Sequence, residues 1–164
     1  MLKGKVAIIT GAGRGLGQAI AEAMSKEGAK IAITSRSMHE LKAAAEKIRY
    51  HGGSVLEIQG DISSETSVLE IVTETEKAFS TVDILVNNAA IIGPAKIITK
   101  PGAQEWYHAL NVNLIGAYRL ILSVLPMMIN QKSGKIINIT SGLGQRPYPR
   151  FCAYGVSKAG LIQL

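Results

Sequence analysis

The sequence has little cysteine, few aromatic residues and no long apolar run, and each shortage excludes a class of protein. Cys152 is the single cysteine among 164 residues, so no disulfide can form within the chain, which agrees with a reducing compartment. Aromatic residues make up 5% of the chain, and the 18 lysines and arginines are scattered, which argues against a nucleic-acid interface. The longest apolar region, residues 120–129, contains a serine and a proline and is shorter than a bilayer requires.

Targeting and metal-binding patterns are also missing. A glycine-rich stretch begins at Gly11, too early for a signal-peptide core and cleavage site to precede it. The three histidines, His39, His51 and His108, lack the spacing and cysteine partners of metal ligands, so we expect no metal site. We therefore expect a cytoplasmic protein with no membrane and no nucleic-acid partner. A hydrophobic content of 47% predicts a single globular domain over residues 1–164, and the net charge of +6 suits an anionic ligand.

Short apolar stretches alternate with helical patterns along the whole sequence. This alternation predicts a doubly wound parallel sheet, a Rossmann-type α/β fold with strand order 3-2-1-4-5. The predicted strands are residues 5–10, 31–34, 55–59, 84–87 and 135–140. The predicted helices are residues 15–27, 38 to about 51, 64–79, 103–130 and a last one starting near 154. A loop through Pro94 and Pro101 precedes the long fourth helix.

The end of the pattern is unusual. No capping residue or stop signal follows the last helix before Leu164, and five strand signals are present where the full doubly wound order has six. Residues 136–140 are apolar and uncharged, which predicts an exposed, adhesive sheet edge. We expect either that the C-terminal strands and helices of the fold are missing from this chain, or that something else covers the edge.

The first strand runs into a glycine-rich turn with a helical pattern behind it. Gly11, Gly15 and Gly17 are spaced G-x-x-x-G-x-G, which differs from the G-x-G-x-x-G of the common dinucleotide fingerprint. Glycines at such a junction let the backbone approach a phosphate, and the helix N-terminus offers free N–H groups. The alternative is an ordinary glycine-rich turn between a strand and a helix.

A tyrosine and a lysine near the end of the chain form a candidate proton-transfer pair. Tyr154 and Lys158 are four residues apart, so a helix places them on one face. A phenol has a pKa of about 10, and lowering it by roughly 3 units takes about 4 kcal/mol, which a nearby ammonium helps to supply. Ser141 closes the fifth predicted strand, at the sheet edge where ligands bind in this architecture. The alternatives are a solvated tyrosine and lysine, and a turn at residues 140–142.

In combination, these motifs resemble the short-chain dehydrogenase/reductase family over the whole chain. Residues 10–17 resemble its cofactor loop, and Asp61 stands where the family has an aspartate that contacts the adenine ring. Residues 87–90 resemble its Asn-Asn-Ala-Gly motif, with Ala90 replacing glycine. Asn113 matches the family's helix asparagine, and the remaining members of its catalytic tetrad are matched by Ser141, Tyr154 and Lys158.

The resemblance implies a role for each of these residues. Tyr154 would donate a proton to a carbonyl oxygen during reduction and remove it during oxidation, and Ser141 would bind the same oxygen. Lys158 would lower the pKa of Tyr154 and hold the nicotinamide ribose, while Asn113 would connect Lys158 to solvent through water. The cofactor-binding residues predicted from the resemblance, together with those predicted from their position and charge below, are Gly11, Arg14, Gly15, Leu16, Gly17, Ser35, Arg36, Asp61, Ile62, Asn88, Ala89, Ala90, Tyr154 and Lys158.

The residues after the second strand indicate which cofactor binds. An NAD site usually has an acidic residue there for the ribose 2′-hydroxyl. This chain has Thr34, Ser35 and Arg36 instead, and Arg14 in the glycine loop is a second cation. Because arginine pairs well with phosphate, we predict NADP(H), with NAD(H) as the alternative.

The predicted activity is the interconversion of a carbonyl and a secondary alcohol in a small molecule. The substrate candidates are a 3-oxoacyl thioester, a sugar, a steroid or a small ketone. Gln145, Arg146, Tyr148 and Cys152 are candidates for substrate contact, and a surface loop with a packed cysteine is the alternative. The two late helices resemble the family's oligomer-forming pair, which predicts a dimer or tetramer. The competing hypothesis is a non-catalytic module that binds a dinucleotide or a partner.

Overall fold

Five short parallel strands form the centre of the computed structural model, which describes residues 1–100 and 102–164. The strands are β1 (Val6–Thr10), β2 (Lys30–Ser35), β3 (Val55–Gln59), β4 (Ile84–Asn87) and β5 (Lys135–Asn138). The helices are α1 (Gly15–Lys26), α2 (Met38–Tyr50), α3 (Glu65–Phe79), α4 (Ala103–Leu110), α5 (Gly116–Asn130) and α6 (Cys152–Gln163). Pro101, which the sequence places in the loop before the long helix, lies outside the described residues.

The strand order is β3-β2-β1-β4-β5, and every pairing is parallel, so the predicted Rossmann-type topology is confirmed. All five residues of β1 are buried because helices cover both faces of the sheet. Ile8 packs into the cluster beneath α3 and α5, whereas Ile9 packs into the cluster beneath α1 and α2. This alternation follows from the two-residue period of a strand. The carboxyl end of β1 is therefore packed between two apolar clusters.

The predicted helix over residues 103–130 is present, but a π turn at Asn111–Ile115 interrupts it between α4 and α5. By length and composition alone, the Ala103–Asn130 span is long and apolar enough to cross a membrane, and 44% of its most apolar window is buried inside the protein. Its inner stripe includes the buried residues Ala117, Ile121 and Val124. A second stripe faces outward and consists of Ile115, Tyr118, Leu122, Leu125 and Ile129.

Strand β5 is an edge, as the sequence predicts. It pairs with β4 on one side and with no strand on the other within residues 1–100 and 102–164. Ile136 is 36% exposed and Ile137 is 45% exposed, so the predicted apolar edge is confirmed. The strand ends at Asn138 rather than at residue 140, although the Ile139 amide still donates to the carbonyl of Asn87 at 2.9 Å.

Candidate active site

The glycine loop between β1 and α1 has the backbone geometry that its sequence requires. Gly11 has φ of +63° and Gly15 has φ of +58°, a region that residues with a Cβ rarely adopt. A Cβ on Gly17 would collide with the carbonyl oxygen of Gly11, so the helix approaches the loop as closely as glycine allows. Open space surrounds Gly15, which leaves that side of the loop accessible to a ligand.

Thr10 and Asn88 hold the glycine loop against the end of β4. The buried hydroxyl of Thr10 accepts from the amides of Asn88 and Ala89, each at 3.0 Å. The carboxamide of Asn88 donates to the carbonyls of Thr10 at 2.8 Å and of Gly11 at 3.3 Å. Both N–H bonds of the Asn88 amide are therefore used inside the protein. Its contribution to the site is to fix the loop.

A cleft of about 540 Å³ opens above the carboxyl ends of the strands, within the size range of small-molecule sites. The predicted cofactor residues that line it are Gly11, Arg14, Gly15, Ser35, Arg36, Asp61, Ile62, Asn88, Ala89 and Ala90. Four other predicted ones, Leu16, Gly17, Tyr154 and Lys158, do not line it. The cleft is also lined by residues that are not among the predicted cofactor contacts: Gly13, Thr34, Ser37, Glu40, Gly60, Ile91 and Val112.

The residues of the cleft fit a dinucleotide. Positive-φ glycines leave room for a pyrophosphate beside the first turn of α1, where N–H groups are free of helical partners. At the end of β2, the buried hydroxyl oxygen of Thr34 has no partner in the described part of the chain. Arg14 and Arg36 supply positive charge at the same end.

One carboxylate stands among these cations. Glu40 lies in the first turn of α2, whose N-cap Ser37 accepts from the Glu40 amide at 3.3 Å. The Glu40 carboxylate is 3.6 Å from Nε of Arg14. The sequence analysis missed Glu40 because an acid in a first helical turn is expected for capping alone. The structure shows that the turn after β2 brings it into the cleft.

Asp61, which is predicted to contact the adenine ring, is held in place by Ser63. Its Oδ1 accepts from the amide of Ser63 at 2.9 Å and from the Ser63 hydroxyl at 2.7 Å. Partial burial raises the pKa of this carboxyl, but the bonds from Ser63 and the positive charges of Arg36 and His108 outweigh it, and the net pKa is lowered. Asp61 is therefore an anion at neutral pH.

Lys158 is the most unusual side chain of the candidate catalytic region. It is 2% exposed, and its Nζ donates to the carbonyl of Ile139 at 2.6 Å. The same Nζ lies 5.6 Å from the centroid of the Tyr154 ring. No carboxylate of the described residues pairs with it, and burial lowers its pKa. A buried ammonium without a counter-ion favours an anion beside it.

Ser141 is brought to α6 by a short 3₁₀ turn over Gly142–Gly144. The Ser141 hydroxyl accepts from the amide of Leu143 at 3.2 Å and so caps the turn. A Cβ on Gly144 would lie 2.8 Å from the carbonyl carbon of Lys158, and one on Gly155 would lie 2.9 Å from the Leu143 oxygen. The turn therefore lies directly against the stretch of α6 that carries Tyr154 and Lys158.

Asn113 is buried in the π turn, and its amide is fully engaged. Its Oδ1 accepts from the Ile91 amide at 2.8 Å, and its Nδ2 donates to the Ile91 carbonyl at 2.8 Å. Nδ2 also donates to the hydroxyl of Ser157 at 3.0 Å. A π turn inside a helix is often found at a functional site.

Ser157 is a residue that the sequence analysis missed. It is fully buried, and its hydroxyl donates to the carbonyl of Tyr154 at 2.7 Å. With the bond from Asn113, it ties the first turn of α6 to the π turn. The available signal was its position three residues after Tyr154, where a helical serine bonds back to the preceding turn.

The loop between Ser141 and Tyr154 carries the candidate substrate contacts. Arg146 and Tyr148 are exposed, and the ring of Tyr148 lies 5.8 Å from that of Phe151 in a tilted arrangement. Cys152 is a half-buried free thiol at the start of α6. None of these side chains lines the cleft. Their role in substrate contact stays a prediction.

The fold and the cleft define a nucleotide-binding α/β protein, and comparisons with known proteins give its family. A sequence model described as short chain dehydrogenase matches residues 5–164. The chain is 36% identical over 161 residues to the 3-oxoacyl-(acyl-carrier-protein) reductase FabG of Staphylococcus epidermidis, covering 98% of this chain and 66% of that protein. It is 36% identical to an uncharacterized oxidoreductase of Thermotoga maritima, covering 100% of this chain and 64% of that protein.

Solved structures agree. A metagenomic short-chain oxidoreductase in complex with NADP superposes with a TM-score of 0.95 at 35% identity, covering 99% of this chain and 73% of its own. NAD⁺-bound xylitol dehydrogenase superposes with a TM-score of 0.95 at 31% identity, covering 99% and 62%. The chain belongs to the short chain dehydrogenase family of oxidoreductases. It spans about two thirds of the length of the curated relatives that it matches.

Proposed function

We propose that this chain carries the cofactor cleft and the proton-transfer residues of an NADP(H)-dependent carbonyl reductase or alcohol dehydrogenase. The observation that carries the proposal is the buried ammonium of Lys158, which lacks a carboxylate partner in the described residues and lies 5.6 Å from the Tyr154 ring. Such a charge is costly to bury, and a phenolate beside it would recover part of that cost.

The attraction between the Lys158 ammonium and a phenolate at Tyr154 can be given an approximate size. Nζ of Lys158 lies 5.6 Å from the centroid of the Tyr154 ring, a range at which opposite unit charges attract by roughly 3 kcal/mol in a medium of dielectric about 20. We infer that Tyr154 is the general acid and base, and that a bound oxidised nicotinamide adds to the positive charge near it.

The other residues are assigned to binding and orientation. Ser141 would donate to the substrate oxygen that Tyr154 protonates, since its turn lies against the same stretch of α6. Asn113 would anchor this corner, and because both N–H bonds of its amide are used, only oxygen atoms of the residue remain to hold a relay water. NADP(H) supplies the hydride when bound. The backbone of Leu16 and Gly17 would face its pyrophosphate.

The preference for NADP(H) rests on the charges at the end of β2. Arg36 and Arg14 line the cleft there, and one of the similar solved structures was determined with NADP. Glu40 weakens this preference, because it neutralises part of the charge of Arg14. NAD(H) is therefore the alternative cofactor, as in the similar xylitol dehydrogenase structure.

We further propose a small carbonyl or alcohol as the substrate and the cytoplasm as the location. A 3-oxoacyl thioester gains support from the similar acyl-carrier-protein reductase, and a polyol gains support from xylitol dehydrogenase. The outer stripe of α5 repeats at three- and four-residue intervals, which suits pairing with a second copy. A homodimer or homotetramer is therefore proposed, and sedimentation velocity of the chain measures it.

The decisive experiment replaces Tyr154 by phenylalanine. We expect NADPH to bind the variant within about twofold of the wild type, because only the hydroxyl is removed. Turnover of a panel of ketones, 3-oxoacyl thioesters and ketoses should fall by about 10²–10⁴-fold, the ordinary contribution of a general acid. Energy transfer from Trp106, the single tryptophan, to NADPH measures binding without a substrate.

Tyr50→Phe is the matched control, because it removes a phenol that is 87% exposed at the end of α2, outside the cleft. Its turnover should stay within a few-fold of the wild type. Full activity of Tyr154→Phe would remove Tyr154 from its assigned role. Binding of NADPH without turnover in the wild-type chain would favour the non-catalytic module instead.

A further inference from the structure

The carbonyl of Ser63, two residues after Asp61, is held by the long helix through side-chain hydrogen bonds. Arg119, half-buried on α5, donates through Nη1 to the carbonyl of Ser63 at 3.0 Å. The same nitrogen donates to Oδ1 of Asn111 at 2.9 Å, and the Asn111 amide donates to the Ser63 carbonyl at 3.3 Å. These three residues form a closed set of hydrogen bonds, called here the Ser63 clasp.

A second contact lies beside the clasp. A Cβ on Gly116 would lie 2.7 Å from the carbonyl oxygen of Ile62, so the helix approaches the loop as closely as a glycine permits. Asp61 and Ile62 line the cleft at the proposed adenine end. The clasp therefore fastens one wall of the cleft to the helix.

The clasp depends on the π turn. In an uninterrupted α-helix, residues eight apart are rotated by about 80° around the axis, so Asn111 and Arg119 would diverge. The additional residue accommodated by a π turn brings them to within roughly 20° of each other. Both side chains then reach the same carbonyl, as observed.

The other side of the same turn holds the candidate catalytic corner, which consists of Asn113, Ser141, Tyr154 and Lys158. Asn113, two residues after Asn111, donates to Ser157, and Ser157 donates to the carbonyl of Tyr154. A continuous path of direct contacts thus runs from the adenine loop through Arg119 and the π turn to the helix of Tyr154. We propose that Arg119 is a positioning residue that couples occupation of the adenine end to the ordering of α6.

This inference rests on the proposed function, since it requires an adenosine ligand in the cleft. The sign of the coupling is positive. A ligand that orders residues 61–63 also orders the clasp, and the ordered π turn holds Asn113 against Ser157. By reciprocity, an ordered α6 would tighten adenosine binding by the same factor. Without Arg119, only the 3.3 Å bond from Asn111 to the Ser63 carbonyl would remain in the clasp, so the coupling would weaken.

The test uses probes that fill the adenosine half alone. Adenosine 2′,5′-bisphosphate and ADP lack nicotinamide and its ribose, so neither reaches α6 directly. At saturation of the wild-type chain, we expect the exchange of α6 backbone amides with deuterium to slow by about fivefold or more, the lower end of ordinary coupling. In Arg119→Met, at saturation, the change should fall below about twofold, and Arg119→Lys should recover part of it.

Arg49→Met is the matched control. Arg49 also donates from a helix to a backbone carbonyl of the β3 region, that of Val55 at 3.3 Å, but at the opposite end of the strand. In this variant, saturation with either probe should slow the exchange of α6 amides as much as it does in the wild type. Asn111→Ala, which keeps Arg119, is a second way to weaken the clasp and should give an intermediate loss.

The outcomes separate the coupling from the proposed function. Equal slowing of α6 exchange in saturated wild type and saturated Arg119→Met would overturn the coupling and leave the dinucleotide cleft intact. No slowing in the saturated wild type would overturn it as well. Absence of any binding of both probes to the wild type would overturn the cleft and the coupling together.

Discussion

Strands β1 and β5 lie in the same sheet, and their surroundings differ in almost every respect. Every residue of β1 is buried between two apolar clusters, whereas three of the four residues of β5 are exposed. Yet each leads into part of the proposed site. β1 leads into the glycine loop, and the chain after β5 supplies the Ile139 carbonyl that Lys158 contacts. On the cofactor side, Thr10 and Asn88 fix the glycine loop above fully buried strand residues, whereas the catalytic corner lies beside an exposed strand and is held by a few polar bonds.

The strongest test of this contrast removes the same atoms from both strands. Ile9 is fully buried and Ile137 is 45% exposed. We expect Ile9→Ala to lower the free energy of unfolding by about 2–5 kcal/mol, through lost burial and a residual cavity. Ile137→Ala should lower it by less than about 1 kcal/mol, mainly through β-propensity. Urea denaturation followed by circular dichroism gives both values.

The protein concentration is the control for that pair. If the loss in Ile137→Ala grows at higher concentration, a second copy covers β5, and the edge is not free in solution. Equal losses in the two variants at every concentration would contradict the contrast between the two strands.

On the cofactor side, the comparison is tested by changing the charges at the end of β2, which we expect to set the preference for NADP⁺ over NAD⁺. Arg36→Asp should reduce the NADP⁺ to NAD⁺ affinity ratio by about 10–100-fold, since a phosphate loses a cation and meets an anion. Glu40→Gln should raise the ratio by a few-fold because Arg14 is released. Titrations monitored by Trp106 fluorescence measure both ratios. Arg150→Asp, on the exposed loop before α6, is the charge-matched control and should leave the ratio unchanged.

An unchanged ratio in Arg36→Asp would mean that Arg36 does not reach the 2′-position. A fall in the ratio on Glu40→Gln would mean that Glu40 orients Arg14 rather than neutralising it. Either result would revise the assignment of the cleft without affecting the fold.

The sequence predicts the cofactor half better than the catalytic corner, for a physical reason. The glycine loop depends on local rules, namely backbone freedom at Gly11 and Gly15 and a strand followed by a helix. Most residues that line the cleft lie just after the strand ends, so the strand order alone brings them together. Glu40 was not predicted because its carboxylate contacts Arg14, a residue of another turn that is distant in the sequence.

The corner depends on contacts that no local pattern encodes. The periodicity of residues 103–130 predicts one helix, and nothing in it indicates a π turn at Asn111–Ile115. The bonds of Asn113 to Ile91 and Ser157 join three separated segments. The prediction that Ser141 lies near Tyr154 came from its place after the fifth predicted strand and from the resemblance. The structure adds the packing of the intervening turn, through Gly144 and Gly155, that supports it.

The smallest expected effect concerns the stability cost of Lys158. Burial lowers the pKa of this ammonium in the folded chain, so the unfolded chain binds more protons between the lowered pKa and 10.5. Stability therefore rises with pH through that window, and at neutral pH the cost of burying the charge is present. We expect Lys158→Met to raise the free energy of unfolding by about 1 kcal/mol at pH 7, even though turnover is lost.

The pH dependence distinguishes this cost from ordinary packing. The advantage of Lys158→Met over the wild type should shrink between pH 7 and pH 10, because the wild-type lysine loses its charge on folding as the pH rises. Lys42→Met, on the exposed side of α2, controls for the removal of one positive charge. Parallel curves for Lys158→Met and the wild type would show that the lysine is stabilised in the free protein. Burial of the Lys158 ammonium would then impose no cost on the stability of the free protein.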